Sequence, residues 1–122
     1  MTRLLLAAGL AAALSSAAAA QSIPVTLSEW KIEMARDTVK AGPVTFRVKN
    51  GGTIVHALYI DGQNVKKETP QIPANQSASL TVTLKPGTYE MYCPMSDETH
   101  KKSGMSRKLV VIPADAPAPK KP

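Results

Sequence analysis

Apolar and polar residues alternate along much of the chain with the period of two expected of half-buried strands. Val44, Phe46 and Val48 share one face and Thr45, Arg47 and Lys49 the other; Leu80, Val82 and Leu84 oppose Ser79, Thr81 and Thr83 in the same way. These are the clearest strands. Trp30, Ile32 and Met34 predict another, residues 56–60 a fourth, 89–93 a fifth and 108–112 a last. Turn signals lie between them at Ala41-Gly42-Pro43, Asn50-Gly51-Gly52, Asp61-Gly62 and Lys85-Pro86-Gly87. No segment has convincing helical periodicity and no internal repeat is present. The one candidate helical turn is Ser96-Asp97-Glu98-Thr99, with Ser96 as its cap, and a solvated polar loop is the competing reading. Many short strands without intervening helices predict an all-β fold, a Greek-key sandwich in a single domain.

The two ends of the chain depart from this pattern. Residues 1–20 carry Arg3, an apolar run from Leu4 to Leu14 and small residues closing in Ala18-Ala19-Ala20, which reads as a secretory signal peptide. An uncleaved anchor is the alternative, disfavoured by a run shorter than a bilayer span and by the lack of a charged stop-transfer flank. The mature chain is expected to begin at Gln21, with one domain over 21–112 and no membrane span after cleavage. Residues 113–122 hold four prolines and little that can be buried, so they read as a flexible tail.

Export changes the meaning of charge and cysteine. The chain carries a formal +6, or +5 once Arg3 leaves with the signal. Its basic residues are scattered along strand-like segments without a nucleic-acid motif, so nucleic acid is not an expected partner. In an oxidising periplasmic or extracellular compartment the single cysteine, Cys93, has no intramolecular disulfide partner. A lone exported thiol is a liability unless it is buried or occupied by a metal.

Strand parity brings chemistry to that cysteine. Tyr89, Met91 and Cys93 point one way, and the large apolar pair makes it the core side; His56 shares a face with Leu58 and Ile60. Six residues after Cys93 comes His100, and four further on Met105. One thiolate, two imidazoles and one thioether form the donor set of a blue-copper electron-transfer centre, whereas zinc has little use for a thioether.

At this point the sequence resembles the small cupredoxins of the plastocyanin and azurin type. The likeness spans nearly the whole expected domain: "VKAGPVTFRVKNGG", "IVHALYI", "SASLTVTLKPGTYEMYC", and the loop from Cys93 to Met105. The resemblance implies one copper ion per chain, with His56 as the first ligand on its own strand and Cys93, His100 and Met105 supplied by the closing loop. It also implies a carrier of single electrons, not an enzyme, in which the His100 ring edge reaches the surface. Two departures stand out: the gap from Cys93 to His100 is longer than in plastocyanin or azurin, and Ala57 follows His56 where many relatives have asparagine, removing a side chain that helps hold strand and loop together.

Competing readings stay open at this level. Met95, two residues from Cys93, is a rival thioether to Met105, while Met34 and Met91 read as core. Cys93 with a histidine could be a nucleophile and its base, but no orienting third residue or oxyanion loop is recognisable. A copper chaperone or storage protein that hands on Cu(I) is the alternative function, and a fold that has lost its metal a third. Lys101 and Lys102 flank His100 and suggest a redox partner protein with an acidic docking surface, against the plainer reading of two solvated lysines. Tyr92, of opposite parity to Cys93, is a candidate second exit for electrons. The protein is expected to be a monomer.

Overall fold

The computed structural model describes residues 20–117; the expected leader up to residue 19 and the last tail residues, 118–122, lie outside them. The described residues form nine strands and one helical turn: β1 (Gln21–Ser28), β2 (Lys31–Glu33), β3 (Thr38–Lys40), β4 (Gly42–Asn50), β5 (Tyr59–Gly62), β6 (Val65–Glu68), β7 (Ser77–Leu84), β8 (Gly87–Tyr92), α1 (Thr99–Lys102) and β9 (Ser106–Ile112). They build two sheets, β2-β1-β4-β7 and β3-β9-β8-β5-β6. The chain crosses between sheets after β2, β3, β4, β6 and β7. This is the single-domain Greek-key sandwich that the period-two pattern predicts.

Alternation produces the core directly. Val44, Phe46 and Val48 of β4, with Leu80, Val82 and Leu84 of β7, face Tyr89 and Met91 of β8 and Leu109 and Val111 of β9. Val44 pairs with Val82 and Phe46 with Leu80, so the inward positions of β4 and β7 lie directly opposite each other. Met91 is fully buried and Met34 packs against the core at its margin, as expected. Tyr89 closes the β7–β8 turn: its hydroxyl donates to the Lys85 carbonyl at 2.7 Å and accepts the Lys85 N–H at 3.0 Å.

Three expectations need correction. The strand expected over 56–60 starts only at Tyr59; His56, Ala57 and Leu58 are all buried, so alternation fails there, and the segment is held by an isolated bridge from His56 to Ile72 and by Thr69. His56 therefore sits on an interior crossing segment and not on its own strand. Trp30 is not on the inward face of a strand with Ile32: it lies in the β1–β2 turn, 43% exposed, while Ile32 is buried. Ser96 does not cap a helix. Ser96, Asp97 and Glu98 take positive φ of 56°, 53° and 66°, and α1 begins after Glu98 without a side-chain cap.

β1 had no counterpart in the sequence reading. Its residues Ile23, Val25 and Leu27 alternate, but Pro24 interrupts the signal; the proline is exposed where β2, which pairs only from Thr26, leaves β1 an edge. β1 runs parallel to β4, with Leu27 opposite Asn50. That register carries the β1–β2 turn to the end of the sandwich where His56 and Cys93 lie.

Candidate metal centre

Three segments converge at this end. The first is Asn50, the next inward position after Val44, Phe46 and Val48, and fully buried. Its side-chain amide donates to the carbonyls of Ile54 at 2.7 Å and Ile72 at 2.8 Å, and its oxygen accepts the Gly52 N–H at 2.9 Å. All its principal valences are used. Because Ile72 also exchanges backbone hydrogen bonds with His56, at 3.2 and 2.8 Å, Asn50 fixes the platform from which His56 projects.

The second segment is the loop after β8. Cys93, completely buried, continues the inward parity of Tyr89 and Met91. Its backbone N–H donates to the Met105 carbonyl at 3.1 Å, and the Met105 N–H donates to the His100 carbonyl at 3.1 Å. The long gap between Cys93 and His100 is taken up by the left-handed turn at 96–98 and by α1, pinned by Glu98 N–H to Pro94 O and Lys102 N–H to Glu98 O. The extra residues thus fold back on themselves, and His100 returns beside Cys93.

The result is a compact donor cluster. Cys93 Sγ lies 3.6 Å from His100 Nδ1 and 3.9 Å from His56 Nδ1, and the two Nδ1 atoms are 3.2 Å apart. All three residues are buried, and one ligand atom from each falls within a 4.8 Å span, so His56, Cys93 and His100 could hold one metal ion. A thiolate with two imidazoles presented by Nδ1, and a wholly buried methionine at the far end of the same loop, suits copper; structural zinc usually takes four strong ligands. Met95, by contrast, is only partly buried against the core. The Ala57 N–H points to Cys93 Sγ at 3.5 Å, so the backbone of this residue engages the sulfur although its side chain is too short to reach anything polar.

The third segment is the β1–β2 turn, whose contribution sequence reasoning missed. Glu29 Oε1 lies 3.1 Å from His56 Nε2 and accepts the N–H groups of Thr53 at 2.8 Å and Ile54 at 3.0 Å. Its carboxyl is held down at about 2 by backbone N–H donors at Glu29 itself and Thr53, with Ile54 and His56 adding to them against the opposing effect of burial. Trp30, next in the chain, sets its ring edge-on to both imidazoles, 5.0 Å from His100 and 6.4 Å from His56 between centroids. No local pattern flags either residue, since Glu29 meets His56 across 27 positions of sequence.

His100 is the most nearly exposed of the three donors. Its ring edge is expected at the surface; the residue is 6% exposed, against none for His56 and Cys93, and the Trp30 ring stands edge-on beside it. Burial, reinforced by the nearby His56 and opposed by Glu29, lowers its pKa. Lys101 is engaged as well: its Nζ lies 2.6 Å from Glu90 Oε1 and 4.1 Å from the centre of the Tyr92 ring, and the Glu90 contact raises its pKa. Tyr92, whose pKa burial raises, is half-covered between Lys101 and Tyr59, 4.9 Å away ring to ring. Lys102 is exposed.

Known proteins bear on this geometry. The structure is similar to a dithionite-reduced auracyanin from the photosynthetic bacterium Roseiflexus castenholzii, with 21% identity over 76% of this chain and 98% of that one, at a TM-score of 0.66. It is likewise similar to auracyanin A, a blue copper protein of Chloroflexus aurantiacus, with 21% identity over 76% and 99% and a TM-score of 0.64. A multicopper oxidase matches at 17% identity and a TM-score of 0.56, with only 44% of its chain covered. Identities this low carry the fold alone. No curated protein matches the chain. The description of a cupredoxin-like domain matches residues 2–104, most of the sequence, and with it the chain belongs to the cupredoxin-like family.

Proposed function

We propose that this protein is an exported carrier of single electrons, in which His56, Cys93 and His100 would hold copper and Met105 would serve as a weaker fourth donor. The observation that carries the reading is the buried cluster of one sulfur and two Nδ1 atoms, clamped by backbone hydrogen bonds at both ends of the 93–105 loop. Copper bound there would supply a one-electron Cu(I)/Cu(II) couple. The chain's own part is to keep the donors fixed and dry. Asn50 immobilises the His56 platform, the Cys93 to Met105 bond closes the loop, and Trp30 shields His100 from water. Donors that barely move between oxidation states keep the cost of reorganisation low.

Export rests on the leader read from residues 1–20, which makes the site periplasmic or extracellular. Among the described residues no helix is long and apolar enough to cross a membrane. For a partner protein, the surface over the site offers Trp30 and Ile54, the exposed large apolar side chains that flank Glu29. Lys102, and Lys101 to the extent that Glu90 leaves it free, add positive charge that would steer an acidic partner. Electrons then leave through Trp30, with Tyr92, the last residue of β8 and the chain neighbour of Cys93, as a second route.

Voltammetry of the copper-loaded protein tests the carrier role. Reversible one-electron behaviour with copper that exchanges slowly supports it; irreversible waves with ready copper exchange would instead support a protein that hands on Cu(I).

A further inference from the structure

We infer that Glu29 is a positioning and charge-tuning residue of the metal centre: its carboxylate fixes which nitrogen of His56 faces the cluster and favours the more highly charged ion there. This rests on the reading of His56 as a metal ligand. An ionised carboxylate can only accept hydrogen bonds, so the His56 nitrogen 3.1 Å from Glu29 Oε1 is the one that carries hydrogen. In neutral imidazole the other nitrogen is then bare. That atom is Nδ1, which faces Cys93 Sγ and His100 Nδ1. Glu29 thereby selects the form of His56 able to donate to a metal.

The carboxylate has a built seat. The Thr53 and Ile54 N–H groups hold Oε1, and the absence of a side chain at Gly52 makes room, since a Cβ there would lie 2.6 Å from both carboxylate oxygens. Gly52 is itself buried and anchored through Asn50. The Asn50-Gly51-Gly52 turn therefore does two jobs: its asparagine holds the His56 platform and its second glycine admits the carboxylate. A negative charge one imidazole away from the ion attracts Cu(II) more than Cu(I), because the Coulomb term scales with the ion's charge. Partners of this kind typically change metal affinity by about tenfold to a hundredfold.

Three variants test this: Glu29→Gln, which keeps an acceptor oxygen and removes the charge; Glu29→Ala, which removes both; and Gly52→Ala, which displaces the carboxylate without deleting it. In the metal-free protein at neutral pH, nitrogen NMR is expected to show His56 with hydrogen on Nε2, protected from exchange, in the wild type and Glu29→Gln but not in Glu29→Ala. In the copper-loaded protein, Glu29→Gln is expected to lose about ten times more Cu(II) than Cu(I) affinity, raising the potential by about 59 mV. Gly52→Ala is expected to shift the potential in the same direction. A His56 Nε2 proton unaffected in Glu29→Ala overturns the positioning role, and an unchanged potential in Glu29→Gln overturns the charge-tuning role. Failure of the wild type to bind copper refutes the carrier reading instead, and the metal-free NMR comparison still decides the positioning role.

Discussion

Cys93 donates its backbone N–H to the carbonyl of Met105 at 3.1 Å, so the two ends of the loop that follows β8 are pinned to each other. The bond is independent of either side chain. Met105→Leu should therefore leave the loop closed and the fully buried volume nearly filled, costing less than about 1.5 kcal/mol. With the thioether gone, the reduction potential is expected to rise. Met95→Leu, at the partly buried rival position, is expected to leave the potential unchanged. Voltammetry of the two variants checks the assignment, and the reverse pattern would make Met95 the thioether donor.

Asn50 gives a stability prediction that needs no metal. Asn50→Ala leaves the buried Gly52 N–H and the part-buried Ile54 carbonyl without their partner and takes from the Ile72 carbonyl one of its two donors, the His56 N–H remaining, at a cost of about 1–3 kcal/mol for a buried group left unsatisfied. Denaturant unfolding of the copper-free variant should show a lowered midpoint with an unchanged slope. An unchanged midpoint would mean that the turn holds itself.

Much of the sandwich is legible in the sequence because its clearest strands have one wet and one dry face. Val44 to Val48 and Leu80 to Leu84 report their orientation through alternation alone, and the parity of Tyr89, Met91 and Cys93 delivers the sulfur to the interior. His56 is different. Residues 56–58 are all buried, so the alternation of His56, Leu58 and Ile60 suggested a strand where an isolated bridge stands. The presence of Cys93, His56 and His100 in one cluster was legible from residue type and spacing. Glu29 and Trp30 were not, because the parallel register of β1 on β4 brings them to the site, and β1 itself was obscured by Pro24. Asn50 left a trace: it is a polar residue at the fourth inward position of an otherwise apolar face, legible as the start of a turn and as part of the family likeness but not as the anchor of His56.

Trp30 covers His100, which predicts a kinetic role. Trp30→Ala should cost little stability, because the ring is 43% exposed, yet it should open the imidazole to solvent. Transfer of copper to a small chelator is expected to become faster, while electron transfer to a protein partner slows. Chelator competition followed by absorbance checks the first effect; an unchanged rate would mean that Trp30 does not limit access.

The two lysines should behave differently. Lys101 is committed to Glu90 and to the Tyr92 ring, whereas Lys102 stands exposed. Lys102→Glu is expected to slow transfer to an acidic partner at low ionic strength, with the difference fading as salt shortens the screening length to about 8 Å. Rates measured across a salt series check this, and equal rates at low salt would remove Lys102 from the docking surface. Lys101→Glu additionally sets two carboxylates against each other at Glu90, so its effect should include a loss of stability.

The central claim is tested most directly by adding Cu(II) to the purified protein and to its Cys93→Ser variant and recording the visible and paramagnetic resonance spectra. The account predicts an intense sulfur-to-copper charge-transfer band in the wild type that disappears with the serine. A colourless wild-type protein, or a band that survives the loss of the sulfur, would contradict it.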